Sequence, residues 1–75
     1  NTLQFQIARF STGGFALHRV TSSQFAGRCS AWFDPKGELI DAEQFDSRNR
    51  GRPVKRDGPV WRHLQTVGQR YVQTL

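Results

Sequence analysis

The sequence contains a single cysteine, no methionine and few acidic residues. A lone Cys29 cannot form an internal disulfide, and the wide spacing of Cys29, His18 and His63 matches no recognisable zinc set. No apolar run approaches the roughly 18 residues that a membrane span requires. No signal-peptide pattern opens the chain. These absences predict a protein of a reducing compartment, cytoplasmic (nucleoid-associated) or nuclear, that is neither secreted nor inserted in a membrane.

A chain of 75 residues has room for one small domain. Such a domain buries only about 60% of its unfolded surface, so its own core provides marginal stability. We therefore expect a homodimer or a protein partner. The chain begins with Asn rather than Met, and the sequence leaves open whether a terminal segment is missing.

The acidic residues are concentrated in the first part of the chain. Residues 1–46 hold four basic and five acidic residues, for a net charge of −1, whereas residues 47–75 hold seven basic residues and only Asp57, for +6. Because polyanions respond to local potential, this asymmetry favours a polyanionic partner. A solvated basic surface is the alternative.

Two stretches near the start predict a first β-hairpin. Residues 3–11 and 15–21 alternate along the chain and flank a Gly-Gly turn. Strict alternation in the second stretch places Phe15 and Leu17 on one face and Val20 on the other.

A second hairpin is predicted around Asp34-Pro35-Lys36-Gly37, where proline presets the second turn position and glycine takes the left-handed fourth. Residues 28–33 alternate before this turn, and residues 38–42 supply the partner strand. One of the adjacent apolar residues Leu39 and Ile40 is expected to face a second layer or a subunit.

A helix is predicted from Asp57-Gly58-Pro59, in which Asp57 caps free amides and proline occupies the first turn. Gly68 within the helix predicts a close approach to the sheet or to another helix. The apolar stripe that follows has helical spacing and comprises Val60, Leu64, Val67, Tyr71 and Leu75.

The expected fold class is therefore α+β in a single domain. It consists of a four-stranded antiparallel sheet of two hairpins (residues 1–46), a basic loop (residues 47–58) and one C-terminal helix (residues 59–75) packed on the sheet.

Nothing in the sequence favours catalysis. No serine lies in a Gly-x-Ser-x-Gly turn, and the few acidic residues lie at strand ends or in turns. Cys29 falls in an alternating strand, which is typical of a small buried hydrophobe. A chain this short rarely encloses a substrate pocket. We expect no enzyme, no cofactor, no bound metal and no small-molecule substrate.

The basic loop carries the main functional hypothesis. Arg50-Gly51-Arg52-Pro53 resembles the Arg-Gly-Arg-Pro core of the AT-hook, a motif that lies extended in the minor groove of A·T-rich DNA. The resemblance covers about nine of the 75 residues and implies that Arg50 and Arg52 enter that groove, where negative potential is concentrated. Flanking basic residues would contact phosphates. The predicted nucleic-acid-binding residues are Arg48, Arg50, Gly51, Arg52, Lys55, Arg56 and Arg62.

The sequence allows alternative interpretations of its aromatic and acidic residues. Phe10, Trp32 and Phe45 would stack unpaired bases of single-stranded DNA or RNA, or else belong to the core or to a dimer interface. The acidic residues Asp41, Glu43 and Asp46 either steady the loop or are exposed strand ends.

The rival to a DNA-binding module is a protein-interaction module. In that case a sheet edge or the helix docks a partner, Ile40 or Phe10 supplies an apolar patch, and the basic loop is solvated surface.

Overall fold

The computed structural model describes residues 3–74, which form one antiparallel sheet and one helix. The strands are β1 (Gln4–Arg9), β2 (Phe15–Thr21), β3 (Arg28–Phe33), β4 (Leu39–Phe45) and β5 (Gly51–Pro53), followed by the helix α1 (Pro59–Gln73). The strands lie side by side in the order of the sequence, so that β1 and β5 are the sheet edges. The predicted α+β class is confirmed, but the predicted count of four strands is wrong.

The fifth strand lies inside the segment predicted as a loop. Gly51, Arg52 and Pro53 of β5 stand opposite Phe45, Gln44 and Glu43 of β4. A segment of three residues with no apolar alternation has no strand signal of its own. It becomes a strand because the turn before it returns the chain alongside β4.

A bulge at Arg19 changes the alternation of β2. Between the pairs Leu17↔Ala31 and Val20↔Cys29, β2 has one residue more than β3, and Arg19 has the left-handed φ of 54°. An extra residue reverses which face the following side chains occupy. Val20 is therefore fully buried on the same face as Leu17, and its predicted placement on the opposite face is wrong.

The turn between β3 and β4 forms as predicted. One carboxylate oxygen of Asp34 accepts hydrogen bonds from the amides of Lys36 and Glu38, each at 2.9 Å. The amide of Gly37, whose φ is 84°, donates to the carbonyl of Asp34 at 2.9 Å.

A register shift follows this turn, between the pairs Trp32↔Asp41 and Phe33↔Leu39. It separates the two adjacent apolar residues, since Leu39 is buried and Ile40 is 52% exposed. The expectation that the two differ in environment is confirmed, with Leu39 as the residue that packs in the core.

The start of α1 differs from the prediction in its cap. The N-cap residue is Gly58, with no side-chain hydrogen bond to the helix amides, and Pro59 is the first helical residue. Asp57 has a φ of 64° and belongs to the preceding turn, so its predicted capping role is wrong. A φ in this region turns the chain before the helix begins, and the cap position then falls on the next residue.

The apolar stripe of α1 packs on one face of the sheet. Trp61, Leu64, Val67 and Gly68 are buried, and Val60, Tyr71 and Val72 are partly buried against the same core. A Cβ atom at Gly68 would overlap the ring of Phe33, which confirms the predicted close approach to the sheet. Leu75 lies outside the described residues.

The two faces of the sheet have different surroundings. The covered face, which contains the paired residues Ala31 and Ala42, packs against α1. Here the ring of Phe15 stacks on that of Phe33 with centroids 4.8 Å apart. The helix-free face contains the pair Ser30 and Glu43, and within residues 3–74 no helix covers it. All hydrophobic burial by α1 therefore occurs on one side.

Candidate nucleic-acid interface

The basic hairpin, which we define as β4, β5 and the intervening residues 46–50, has a turn fixed by hydrogen bonds within the turn itself. One carboxylate oxygen of Asp46 accepts hydrogen bonds from the amides of Arg48 and Arg50, each at 2.9 Å. The amide of Asn49 donates to the Asp46 carbonyl at 2.9 Å, and Asn49 has a φ of 61°. Asp46 thus steadies the backbone that carries the arginines.

Three predicted site arginines project from this hairpin. Arg48, Arg50 and Arg52 are all exposed. Arg50 and Arg52 both line an open depression of about 550 Å³ that also includes Gly27 and Gln44. Residues two apart on an extended chain share a face, so these two guanidinium groups form one positively charged edge beside β5.

Position 51 requires glycine because side chains of β4 approach its backbone closely. A Cβ atom there would overlap the carboxylate of Glu43 and would lie 3.1 Å from the ring of Phe45. The segment that resembles the AT-hook core is therefore extended, paired with β4 on one edge and contacted by β4 side chains on one face. Arg52 stands opposite Gln44, the neighbour of Glu43, so by strand alternation Glu43 and the two arginines lie on opposite faces of the hairpin.

The remaining predicted residues lie outside the hairpin. Arg56 donates a hydrogen bond to the carbonyl of Ile40 at 3.0 Å, and its guanidinium carbon lies 4.7 Å from the centre of the Trp61 ring. Lys55 is exposed in the turn before α1, and Arg62 is exposed in its first turn. The structure thus brings four of the predicted residues together, Arg48, Arg50, Gly51 and Arg52, and holds Arg56 against the core.

Two arginines that the sequence analysis does not predict lie on the helix-free face. Arg19 and Arg28 line a depression of about 430 Å³ together with His18, Phe45 and Asn49. Arg28 also donates a hydrogen bond to the side-chain oxygen of Asn49 at 3.2 Å, which ties β3 to the turn of the basic hairpin. These residues are far apart in sequence and meet only through strand pairing, so no local motif indicates them.

The three aromatic residues named above as candidates for base stacking do not form one group. Trp32 and Phe45 stand opposite Asp41 and Arg28 respectively on the helix-free face. Trp32 is half-buried and has the imidazole of His18 edge-on against it, at 6.2 Å between ring centres. Phe10 follows β1 and is 44% exposed. Of these rings, Phe45 is the one that lines the depression with Arg19 and Arg28.

The described residues also include a serine–histidine contact that the sequence did not indicate. The hydroxyl of Ser22 lies 3.0 Å from Nε2 of His63 and accepts a hydrogen bond from the amide of Gln24 at 3.1 Å. The Phe25 ring packs edge-on against His63, with centroids 5.8 Å apart. These contacts attach the β2–β3 connection to α1, which gives the pair a structural role.

Cys29 is unsuited to nucleophilic chemistry. Its side chain is fully buried, and burial raises the pKa of the thiol from 9.0 to about 11. The thiolate is the reactive form, so Cys29 stays protonated near neutral pH. Within residues 3–74, no cluster of three or more histidine, cysteine or acidic side chains is arranged to hold a metal.

Comparisons with known proteins identify no relative. No family model, no curated protein and no solved structure matches this chain. Among the described residues, no helix combines the length and the apolar character that crossing a membrane requires.

Proposed function

We propose that this protein is a non-enzymatic nucleic-acid-binding module whose contact element is the basic hairpin. The observation that carries the proposal is the exposure of Arg48 and Arg50 on a turn whose backbone is fixed by Asp46, and of Arg52 on the strand that follows. Arginine binds phosphate through several N–H donors in a fixed planar arrangement. A fixed backbone reduces the entropy lost when such side chains bind a ligand.

The dimensions of the hairpin bear on how it would bind duplex DNA. The minor groove of B-DNA is about 6 Å wide, whereas the major groove, at about 12 Å, accepts a two-stranded ribbon. Paired strands alone are about 4.8 Å apart before side chains are added. Insertion of the Arg50-Gly51-Arg52 backbone into an A·T-rich minor groove, as in the AT-hook, therefore requires β5 to separate from β4 along its three pairs. Contact with phosphates or with a major groove requires no such change.

The test is a double variant, Arg50→Ala with Arg52→Ala, compared with Lys36→Ala combined with Arg70→Ala. Both pairs remove two exposed positive charges, but Lys36 and Arg70 lie outside the hairpin. Binding to labelled DNA is measured by fluorescence anisotropy over a range of salt concentrations. The hairpin variant should bind about tenfold more weakly at low salt, and the slope of log affinity against log salt should be less steep by about 2.

The control pair should leave that slope nearly unchanged. Absence of binding by the parent protein at low salt, or equal losses in the two double variants, would remove the hairpin from the proposed function.

The groove is tested by competition between A·T-rich and G·C-rich duplexes of equal length. A preference for A·T-rich DNA that disappears in the Arg50→Ala, Arg52→Ala variant supports minor-groove insertion. Equal competition supports phosphate contact without sequence preference. Binding to DNA would imply a location in the nucleoid or the nucleus. Competition with RNA tests whether RNA is the ligand instead.

A second candidate function is the docking of a protein, for which β1 provides a specific observation. β1 is a sheet edge. Its residues Phe5 and Ile7 are each 38% exposed, and Leu3 just before it is 40% exposed. Leu3 and Phe5 line a mainly apolar depression of about 210 Å³ against Val67 and Tyr71 of α1. An open edge beside exposed apolar side chains suits strand addition by a partner or by a second copy of the chain.

This candidate is tested by sedimentation of the parent, of Ile7→Lys and of Gln4→Lys. Both substitutions add a positive charge to β1, but by alternation Gln4 lies on the helix-free face. If β1 forms a homodimer through its apolar face, Ile7→Lys should produce monomers while Gln4→Lys should not. A parent protein that is monomeric at high concentration would rule out the homodimer.

A further inference from the structure

We propose that the nucleic acid is single-stranded where it meets the helix-free face, and that one unpaired nucleotide occupies the depression between β2, β3 and the basic hairpin. The base would stack on Phe45, and the adjoining phosphate would lie between Arg19 and Arg28. This inference rests on the proposed function, and it specifies the ligand and a second contact surface.

Strand pairing brings the three side chains together. Phe45 stands opposite Arg28, and the bulge in β2 places Arg19 at the rim of the same depression, whose volume is about 430 Å³. That volume is within the range of roughly 300–1,000 Å³ found for sites that bind small molecules. The hydrogen bond from Arg28 to Asn49 makes the depression continuous with the turn that carries the hairpin arginines.

The charges on the helix-free face divide it into two halves. The depression at Phe45 is lined by Arg19, Arg28 and His18, with no acidic side chain among its lining residues. Asp41 and Glu43 line a separate, smaller depression beside Trp32. Glu43 also approaches Gly51 beside Phe45. A phosphodiester is therefore attracted to the Arg19 and Arg28 end of the first half and repelled from the second, because local potential decides where a polyanion binds. This division favours Phe45, and not Trp32, as the stacking ring.

The backbone of Arg19 is a further indication. Its backbone φ of 54° is uncommon for residues other than glycine, asparagine and aspartate. Residues in such conformations cluster at ligand sites. Bulges also redirect side chains next to binding sites. Glycine at position 19 would adopt the same backbone without strain. This difference permits a substitution that removes the cation without harming the fold.

An unpaired strand suits this surface better than a duplex. A base can lie on an aromatic ring only if that face of the base is not already stacked on its neighbour. Proteins that bind single strands combine such rings with basic side chains that follow the backbone. Here Phe45 would supply the ring, while Arg19 and Arg28 would supply the basic side chains.

The experiment compares Arg19→Gly, Phe45→Leu and the control Lys36→Ala. Affinities for a labelled oligothymidylate, an oligouridylate of equal length and a mixed-sequence duplex are measured by anisotropy. Arg19→Gly should unfold at the same denaturant concentration as the parent or a higher one. Phe45→Leu keeps apolar bulk against Gly51, and circular dichroism verifies its fold.

Phe45→Leu should lower affinity for the single strands about tenfold while changing duplex affinity less than about twofold. Arg19→Gly should weaken single-strand binding several-fold and should make the slope of log affinity against log salt less steep by about 1. Lys36→Ala should change neither the affinity nor the slope. Single-strand affinity unchanged in both variants, or an equal loss for duplex and single strand in Phe45→Leu, would overturn the inference.

Failure of this inference can be distinguished from failure of the proposed function. If only Arg50→Ala with Arg52→Ala reduces binding, the hairpin still binds nucleic acid but the helix-free face does not. If the parent binds none of the three ligands, both proposals fail.

Discussion

Two regions of the molecule differ in what holds their residues in place: the packed layer, formed by the side chains between the covered face and α1, and the basic hairpin. In the packed layer, Leu17 and Leu64 are fully buried, and side-chain shape determines the positions. In the hairpin, every residue of β5 is exposed, and the turn is fixed by hydrogen bonds to one carboxylate. Substitutions in the first region should therefore change stability, and substitutions in the second should change binding.

The largest expected effect is at Gly68. Valine there would drive side-chain atoms into the ring of Phe33, which a Cβ atom alone already overlaps. Because Phe33 is only 2% exposed, its ring has little room to move. We expect Gly68→Val to lower the free energy of unfolding by about 3 kcal/mol, measured by urea denaturation.

Thr66→Val is the control, because it places the same β-branched side chain at an exposed position of α1. Its unfolding free energy should change by about 0.5 kcal/mol or less. A Gly68→Val protein as stable as the parent would mean that the helix does not contact the sheet at this point.

The next effect concerns pH and Cys29. Burial raises the pKa of its thiol from 9.0 to about 11, so the folded state favours the neutral form. The associated stabilisation is complete below pH 9.0 and is lost as the pH rises through about 11, because the unfolded thiol ionises first. At about 1.4 kcal/mol per pKa unit, a rise from 9.0 to about 11 corresponds to a loss of roughly 3 kcal/mol.

Urea titrations of the parent and of Cys29→Ala, below and above that interval, measure this effect. The parent should lose more stability with rising pH than the alanine variant does. Parallel pH profiles would show that the thiol is not buried as the structure has it.

Features determined by local chemistry could be predicted from the sequence. The turn at residues 34–37 forms because Asp34 bonds to the amides that follow it, and all of its members are adjacent in sequence. The stripe of α1 follows from helical spacing alone. In both cases the interacting groups lie within a few residues of one another, so the pattern itself contains the information.

The two hairpins could be predicted, but two details of the strand pairing could not. β5 exists only beside β4, and the bulge at Arg19 is an adjustment of β2 to both of its neighbours. The same limit applies to the site. Arg50 and Arg52 are visible as a charge cluster, whereas Arg19 and Arg28 come from the part of the chain with a net charge of −1. They form a basic surface only after folding.

Arg56 tests the difference between the packed layer and the basic hairpin. It contacts the packed layer, although its sequence context predicts a nucleic-acid contact. Its guanidinium lies over Trp61 and bonds to the carbonyl of Ile40. Arg56→Ala should lower the free energy of unfolding by about 1 kcal/mol, whereas Lys55→Ala at the adjacent exposed position should leave it unchanged. Equal stabilities in thermal and urea denaturation would assign Arg56 to the hairpin group instead.

The smallest expected effect is at Asp46. It tests whether the affinity of the hairpin for nucleic acid depends more on the fixed backbone of its turn or on its net charge. Asp46→Ala removes a negative charge from the basic turn, so electrostatics alone predicts tighter binding to nucleic acid. It also removes the acceptor that fixes the amides of Arg48 and Arg50. If the order of the turn matters more, affinity should fall about threefold, which corresponds to roughly 0.7 kcal/mol.

Asp46→Asn separates the two causes, because asparagine removes the same charge but keeps a side-chain oxygen that accepts from both amides. Its affinity should equal or exceed that of the parent, measured by anisotropy at one fixed salt concentration. If alanine and asparagine at position 46 both tighten binding, the hairpin acts through net charge alone. In that case the fixed geometry of its turn contributes nothing to recognition, and the contrast with the packed layer would be one of burial only.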